Sequence, residues 1–190
     1  VRAKYGIGGQ RFILGLGTLE PRKNWPALIR AWARMRREAD LPHRLVLAGG
    51  KGWLYEDIFT TAHASGLETD IVFTGFVDDA DLPALYCAAD VVALPSRYEG
   101  FGIPVVEALA CGAAVVCSNN SSLPEAAGQA ALLVEAGAEQ AIVEALRRLI
   151  EDRQLRANLR QRGFEHARRF TWEAAARTLL ATYQAVCASC

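Results

Sequence analysis

The chain has 190 residues, of which 52% are hydrophobic and 22% charged, and its 21 basic side chains balance 21 acidic ones. This composition excludes a disordered tail, a collagen-like chain and a disulfide-stabilised miniprotein, because a chain this long can bury about 70% of its unfolded surface. No stretch reaches the roughly 18 apolar residues of a membrane span, and no signal-peptide core follows the first charges. We therefore expect a soluble, cytoplasmic protein, and the zero net charge argues against a general nucleic-acid binder.

The charges are segregated along the chain. Residues 1–51 hold 11 Lys and Arg against 3 Asp and Glu, residues 52–152 hold 3 against 16, and residues 153–190 hold 7 against 2. The basic first third is where we expect an anion to bind. The five cysteines lack the spacing of a disulfide framework, which indicates a reducing compartment, and the Cys187-x-x-Cys190 pair alone is weak support for a zinc or redox site.

Short apolar runs alternate with longer segments of helical spacing. In chain order, they predict strands over 11–17, 44–49, 70–75, 90–95, 113–117 and 131–134, and helices over 25–38, 53–65, 79–86, 103–111, 138–150, 152–168 and 171–187. Runs without polar alternation are typical of strands buried on both faces of a parallel sheet. The pattern predicts an α/β fold: a doubly wound, Rossmann-like sheet of about six strands with helices on both faces and extra C-terminal helices. Ligands of such sheets bind beyond the carboxyl ends of the strands.

The loop after the first predicted strand is basic. Arg22 and Lys23 lie in it, and Asn24 is the predicted N-cap of the helix that follows. An arginine can hold phosphate oxygens with two donors, and a lysine adds a compact charge. Because the middle of the chain has few cations, this loop is expected to neutralise most of a bound diphosphate.

The richest segment follows the fourth predicted strand. Gly100 and Gly102 permit unusual backbone angles, and Pro104 suits the first turn of the next helix. The free amides of that turn form a natural phosphate site. Glu99 and Glu107 could bracket one ligand, since a carboxylate accepts two hydroxyls of a sugar or ribose. The alternative is that Glu107 only stabilises the first helical turn, by about 0.3–1 kcal/mol.

Three further loops end near the same edge of the predicted sheet. Gly50 lies in a turn that could pass close to a ligand, and residues 118–125 supply hydroxyl and amide groups. Gly75, Phe76 and Val77 offer backbone groups and an apolar surface for a flat base, although the last two side chains fit a core equally well. We treat these loops as subsidiary parts of one site.

Several other kinds of site are missing from the sequence. Glu20 stands where a dinucleotide-binding fingerprint needs its third glycine, and no P-loop motif occurs. The three histidines are scattered, so no metal-ligand cluster is expected. Residues 79–81 form an Asp-Ala-Asp pair that we interpret as a helix N-cap instead of a metal site.

Four segments resemble the C-terminal, donor-binding half of retaining glycosyltransferases with the two-domain GT-B fold. The group is glycosyltransferase family 4, which includes bacterial mannosyltransferases of polysaccharide assembly. The segments are 17–24, 73–77, 94–112 and 122–128, and the Glu-x7-Glu spacing within the third is the most specific feature. The resemblance implies that residues 1–190 are one nucleotide-sugar-binding domain, preceded in the parent enzyme by an acceptor-binding domain that this chain lacks.

The resemblance also implies roles for individual residues. Lys23, helped by Arg22, would hold the donor diphosphate, Glu107 would bind the ribose hydroxyls, and Glu99 would contact the donor sugar; Lys23, Arg22 and Glu99 are the implied catalytic set. Many relatives carry an arginine where this chain has Thr18, so either Arg22 supplies the missing charge or the phosphates are held more weakly. The implied donor contacts are Gly17, Thr18, Gly50, Gly75, Phe76, Val77, Gly100, Phe101, Gly102, Ile103 and Glu107.

The implied reaction is transfer of a hexose from a nucleoside diphosphate sugar to an acceptor hydroxyl, with retention at the anomeric carbon, in polysaccharide or glycolipid assembly. GDP-mannose is the favoured donor, and no metal or other cofactor is expected. The fragment alone should bind the donor nucleotide but transfer poorly, and any association with the cytoplasmic membrane face would come through the missing half. The alternatives are a noncatalytic nucleotide-binding α/β module and another GT-B sugar-nucleotide enzyme, such as an epimerase or a glucan synthase.

Overall fold

The computed structural model describes residues 1–39 and 41–188. Its strands are β1 (Phe12–Leu16), β2 (Arg44–Ala48), β3 (Ile71–Gly75), β4 (Val91–Leu94), β5 (Val115–Ser118) and β6 (Ala131–Val134). All five strand pairs are parallel, in the order β3-β2-β1-β4-β5-β6. The prediction of a doubly wound α/β sheet is confirmed. The strand order reverses between β1 and β4, which makes their carboxyl ends the expected ligand position.

Eight α-helices connect the strands and complete the chain. They are α1 (Trp25–Ala39), α2 (Glu56–Ala64), α3 (Leu82–Ala88), α4 (Ile103–Ala110), α5 (Leu123–Ala127), α6 (Glu139–Glu151), α7 (Arg153–Ala167) and α8 (Trp172–Ala188). Helix α1 packs against α2 and α6, whereas α4 packs against α3, α5 and α7. These two groups cover the two faces of the sheet. The Cys187–Cys190 pair falls partly outside the described residues.

The contact between β1 and α1 sets the position of the first loop. Trp25, the first residue of α1, is fully buried, and its indole nitrogen donates to the Thr18 carbonyl at 3.0 Å. Gly15 leaves room for it, because a Cβ at Gly15 would lie 2.7 Å from the Trp25 ring and 2.8 Å from Leu47. The loop between Gly15 and Trp25 is therefore held at the carboxyl edge of the sheet.

One helix begins later than its sequence predicts. The pattern predicts a helix over 53–65, but α2 begins at Glu56. Trp53 and Leu54 lie in the preceding loop and are exposed, and Leu54 has a positive φ of 48°. These two apolar residues therefore belong to an exposed loop and not to the buried side of a helix.

The predicted N-cap within residues 79–81 is right in position but not in its hydrogen bond: Asp81 is the cap residue of α3, yet its carboxylate accepts no amide of that helix. These residues form a short 3-10 turn before α3, and no side chain caps that helix within the described chain. The Asp81 carboxylate instead accepts hydrogen bonds from Lys4 at 2.6 Å and from the Tyr5 hydroxyl at 2.8 Å. The carboxylate is bound by an ammonium and a hydroxyl of the N-terminal segment, which a local capping argument does not consider.

The last helix lies on the surface. None of the described residues of α8 is buried. It exposes Trp172, Leu179, Leu180, Tyr183 and Val186. No helix within the described residues is long and apolar enough to span a bilayer.

The close contact at Gly15 makes a prediction about stability. Gly15→Ala should lower the free energy of unfolding by about 1–3 kcal/mol, because the added methyl overpacks the Trp25 and Leu47 contact. Gly137→Ala is the matched control, since a Cβ there meets nothing within 4 Å. Urea unfolding of both variants measures the difference. Equal stability of the two variants would contradict the packing argument.

Candidate active site

A buried ion cluster joins the loops that follow β1 and β4. The Lys23 ammonium donates to Glu99 Oε1 at 2.7 Å, and the Ser96 hydroxyl donates to the same oxygen at 2.7 Å. Arg22 donates to Glu99 Oε2 at 2.7 Å. Lys23 and Glu99 are buried, while Arg22 is partly exposed. The predicted meeting of these two loops at one strand edge is confirmed; we call Lys23, Arg22, Ser96 and Glu99 the Glu99 cluster.

The environment of Glu99 favours its ionised form. Burial alone would raise the pKa of this carboxyl, but hydrogen bonds from Lys23, Ser96 and Arg22 outweigh burial and hold the pKa below its ordinary value. Glu99 is therefore a carboxylate at neutral pH, and it compensates the charge of the buried Lys23 beside it.

Gly17 makes room for the lysine. Its φ is 142°, and a Cβ there would lie 2.8 Å from Lys23 Cε and 3.0 Å from Nζ. A side chain at this position would thus displace the ammonium. Because an ammonium has three donors, Lys23 can hold Glu99 and an anion at the same time. The candidate role of Gly17 is therefore to let the Lys23 side chain lie against the backbone.

Arg22 is shared between two carboxylates. Besides its bond to Glu99, it donates to Glu20 Oε1 from Nε at 3.0 Å and from Nη2 at 2.6 Å. Glu20 is a partner that the sequence reasoning missed, although it stands only two residues before Arg22. With Glu20 included, the formal charges of Glu20, Arg22, Lys23 and Glu99 cancel. Because Arg22 already donates to Glu20, Glu99 and the Tyr98 carbonyl, whereas Lys23 donates to Glu99, Lys23 is the better candidate for contact with a diphosphate.

Asn24 holds the cluster together in a way that differs from the prediction. Its side chain does not serve as the N-cap of α1: the amide nitrogen donates to the Pro95 carbonyl at 3.1 Å and to the Ala136 carbonyl at 2.8 Å. Asn24 also adopts a left-handed φ of 58°, which asparagine tolerates better than most residues. The residue ties the loops after β1, β4 and β6 to one another.

Two serines position the backbone of Glu99. The amide of Glu99 donates to Ser121 Oγ at 3.0 Å, and Ser122 Oγ donates to the Glu99 carbonyl at 2.9 Å. The prediction that the loop after β5 places hydroxyls beside this cleft is confirmed. Glu99 is thus held on both its backbone and its side chain.

The N-terminus of α4 lies next in the same loop. Gly102 occupies the cap position with a φ of 96°, and among the described residues no side chain caps this helix. A Cβ at Gly102 would lie 3.0 Å from Leu123 and 3.2 Å from Ala126, so the glycine also allows α5 to pack closely. By contrast, a Cβ at Gly100 would meet nothing within 4 Å. Uncapped first-turn amides are suited to an anion.

Glu107 lies one turn further along α4, in a different environment. Its Oε2 accepts a hydrogen bond from the Tyr86 hydroxyl at 2.9 Å, so its partner is α3 and not the Glu99 cluster. Burial and the nearby Glu107 raise the pKa of Tyr86, which keeps the hydroxyl a donor. Glu107 lines a groove of about 550 Å³ with Phe101, Ile103 and Phe170. Tyr86 is a second partner that sequence reasoning missed.

The loop after β2 is hydrogen-bonded to the first loop and to the end of β3. Gly50 accepts a backbone hydrogen bond from Leu19 of the first loop at 2.9 Å, and Gly75, the last residue of β3, accepts one from Gly49 at 2.9 Å. Phe76 is 75% exposed, whereas Val77 is buried in the core. Of the two apolar side chains predicted for a base, only Phe76 is therefore presented to a ligand.

The described residues do not form a cluster of metal ligands. Across residues 1–39 and 41–188, no three His, Cys, Asp or Glu side chains stand close enough together to hold an ion.

Comparison with known protein families identifies the class of the chain. Residues 1–166 match the family described as glycosyl transferases group 1. The chain belongs to this family. The matched residues include all members of the Glu99 cluster and Glu107.

Curated relatives agree with this assignment. The chain is 38% identical over 173 residues to the O-antigen chain mannosyltransferase B of Escherichia coli, covering 91% of this chain and 45% of that protein. It is 35% identical over 190 residues to a D-inositol 3-phosphate glycosyltransferase of Segniliparus rotundus, covering 97% and 42%. The chain thus spans less than half the length of these relatives.

Solved structures show the same fold. The alignment with the sucrose-phosphate synthase of Thermosynechococcus elongatus covers all of this chain and 49% of that protein. Its TM-score is 0.84, and the sequence identity is 28%. The alignment with HepE of Anabaena, solved with UDP and glucose, covers 96% of this chain and 50% of that protein. Its TM-score is 0.83, and the sequence identity is 27%. The fold is the Rossmann-like half of GT-B.

The low pKa of Glu99 makes a prediction about pH. Because the folded-state pKa lies below the unfolded value of about 4.3, ionised Glu99 stabilises the fold above that pH, and this stabilisation is lost as the pH falls toward the folded pKa. Glu99→Gln should cost about 3 kcal/mol at pH 7, since it leaves Lys23 buried without a counter-charge. The difference from wild type should shrink below about pH 4.

Urea unfolding at several pH values measures this difference. Glu139→Gln is the control, because Glu139 forms an exposed pair with Arg30 and its loss should change stability by less than about 1 kcal/mol. A difference between wild type and Glu99→Gln that stays constant down to about pH 3 would show that the charge of Glu99 is not what stabilises the fold.

Proposed function

We propose that this chain is the donor-binding half of a retaining, family 4 glycosyltransferase. The parent would transfer a hexose, with mannose favoured, from a nucleoside diphosphate sugar to an acceptor hydroxyl in polysaccharide or glycolipid assembly. The observation that carries the proposal is the buried Lys23–Glu99 pair, 2.7 Å apart, beside the uncapped N-terminus of α4. Such a combination of a cation and free amides at the strand-order reversal suits a diphosphate.

Each part of the site has a role in this proposal. Lys23 and the first amides of α4 hold the diphosphate, and they stabilise the negative charge that develops on the leaving nucleoside diphosphate. Arg22 orients Glu99, which contacts the donor sugar. Glu107 accepts the ribose hydroxyls, and the exposed ring of Phe76 contacts the base.

The identity of the donor is part of the proposal. The similarity to a mannosyltransferase at 38% identity supports GDP-mannose. The structural neighbour HepE holds UDP, so UDP is the competing nucleotide. Catalysis without a bound metal is proposed because Lys23 and the helix amides can neutralise the leaving group.

The missing half is proposed from two observations. The relatives are more than twice the length of the matched region, and α8 exposes an apolar side on this chain. We expect an acceptor-binding domain of the parent to cover that side, and the parent to act in the cytoplasm or at the cytoplasmic membrane face. Nucleic acid is not an expected partner.

Nucleotide binding tests the site. Calorimetry with GDP, UDP and ADP should show binding of at least one nucleotide to the wild-type chain. Lys23→Ala should weaken it roughly 10- to 100-fold, because a charge-assisted hydrogen bond contributes about 1.5–3 kcal/mol. Glu107→Gln should weaken it roughly tenfold through the ribose.

Arg147→Ala is the control for the loss of one positive charge. Arg147 forms an exposed pair with Glu38 on the surface of α6, so nucleotide affinity should not change. If none of the three nucleotides binds the wild-type chain, the proposed site is wrong. If Lys23→Ala and Arg147→Ala behave alike, the proposed role of Lys23 is wrong.

Sugar transfer tests the proposal of a missing half. This chain alone should bind the donor but transfer hexose to an acceptor at a small fraction of the rate of its full-length parent. A transfer assay with radiolabelled GDP-mannose compares the two proteins. A comparable rate from this chain alone would contradict the proposal.

A further inference from the structure

The loop between β2 and α2 holds an exposed tryptophan near the Glu99 cluster. Trp53 is 60% exposed and Leu54 64% exposed, and Leu54 has a φ of 48°. A bulky apolar residue rarely adopts this conformation, which persists only where the surrounding structure holds it. The Lys51 ammonium helps to anchor the loop, because it lies 4.7 Å from the centre of the Tyr55 ring. Trp53 is thus exposed at the surface, in a loop whose conformation is fixed by its surroundings.

Trp53 borders a pocket between the beginnings of α1 and α2. The pocket has a volume of about 410 Å³, and Leu54, Asp57, Arg22 and Arg97 line it with Trp53. We call it the Trp53 pocket. Its volume falls within the range of small-molecule sites. Its walls combine an aromatic ring, a carboxylate and guanidinium groups.

Arg22 joins this pocket to the candidate donor site. Its guanidinium donates to Glu99 at 2.7 Å, and its carbonyl accepts the backbone amide of Arg97 at 2.8 Å. A ligand in the Trp53 pocket would therefore stand on the other side of Arg22 from the carboxylate proposed to contact the donor sugar. The shared Arg22 thus places the pocket next to the candidate donor site, as the site of a second substrate must be.

Three polar groups of the pocket are free to bind a ligand. Within residues 1–39 and 41–188, the Trp53 indole nitrogen, the Asp57 carboxylate and the Arg97 guanidinium have no hydrogen-bond partner. The apolar face of an indole suits the C–H face of a pyranose ring. A carboxylate accepts two neighbouring hydroxyls, and a guanidinium donates to ring and hydroxyl oxygens. Arg22 and Arg30, which also line the pocket, are paired with carboxylates, so the unpaired charges of Asp57 and Arg97 cancel and the set suits a neutral saccharide.

We propose that the Trp53 pocket binds the acceptor saccharide. A sugar ring of the acceptor stacks on Trp53, and Asp57 and Arg97 hydrogen-bond its hydroxyls. The inference rests on the proposed function, because it assigns the second substrate of the same reaction. It gives this half of the enzyme a part in acceptor recognition in addition to donor binding.

Nitrogen-15 NMR of the chain tests the pocket directly. The indole signal of Trp53 is assigned by its loss in Trp53→Ala, and buried Trp32 serves as the internal reference. The probes are α-linked mannotriose, maltotriose and chitotriose at millimolar concentration. At least one should shift the Trp53 signal, and Trp53→Ala and Asp57→Asn should each weaken that trisaccharide at least tenfold. Tyr183→Ala, which removes an exposed aromatic ring on α8, should leave the affinity unchanged.

The outcomes separate this inference from the proposed function. Calorimetric binding of GDP or UDP should be the same in Trp53→Ala as in wild type, which also shows that the variant is folded. If the nucleotide binds but no trisaccharide moves the Trp53 signal, the acceptor pocket is wrong and the donor site stands. If Tyr183→Ala weakens the trisaccharide as much as Trp53→Ala does, the location of the pocket is wrong. If a nucleotide shifts the Trp53 signal and no trisaccharide does, the pocket belongs to the donor and the inference fails.

Discussion

The arrangement of the site depends on one buried ion pair, between Lys23 and Glu99. Burying either charge alone is unfavourable by several kcal/mol, so each needs the other and the surrounding donors. The structure meets this need from several loops: Ser96 and Arg22 complete the carboxylate, and Gly17 leaves space for the lysine chain. Because the pair spans the loops after β1 and β4, it fixes their spacing before any ligand binds. The proposed anion site is thus formed before a ligand binds.

Much of the fold could be predicted from the sequence. Strands buried on both faces are apolar throughout, so their runs stand out from the amphipathic helices, and the strand–helix alternation implies a parallel sheet. The convergence of Lys23 with Glu99 was also predictable, because both follow strands whose carboxyl ends lie at one edge. The position of Gly102 at the start of α4 could also be predicted, because this glycine precedes a helix that begins with apolar residues.

The details of the site could not be predicted, because they depend on neighbours that are distant in the sequence. Asn24 has the residue type of an N-cap, yet its amide bonds to carbonyls of two other loops. Glu107 stands in the first turns of a helix, yet its partner is Tyr86 of α3. Trp53 carries the apolar pattern of a helix, yet the chain holds it in an exposed loop. For Asn24 and Glu107, a contact with a residue distant in the sequence decides the role of the side chain.

These contacts also divide the molecule by function. The residues proposed to touch a substrate lie on the loops beyond the carboxyl edge of the sheet and in the first turns of α2 and α4. Helix α8 adds a surface that this chain does not cover. The proposed donor site is therefore formed without a ligand, on a chain that spans less than half the length of its curated relatives.

The most direct test of the central claim is a crystal structure of the chain with GDP or UDP bound. The account predicts that the diphosphate oxygens lie within hydrogen-bond distance of Lys23 Nζ and of the first amides of α4, with Glu99 still bound to Lys23. A diphosphate bound elsewhere, such as against the arginines along α1, would contradict it.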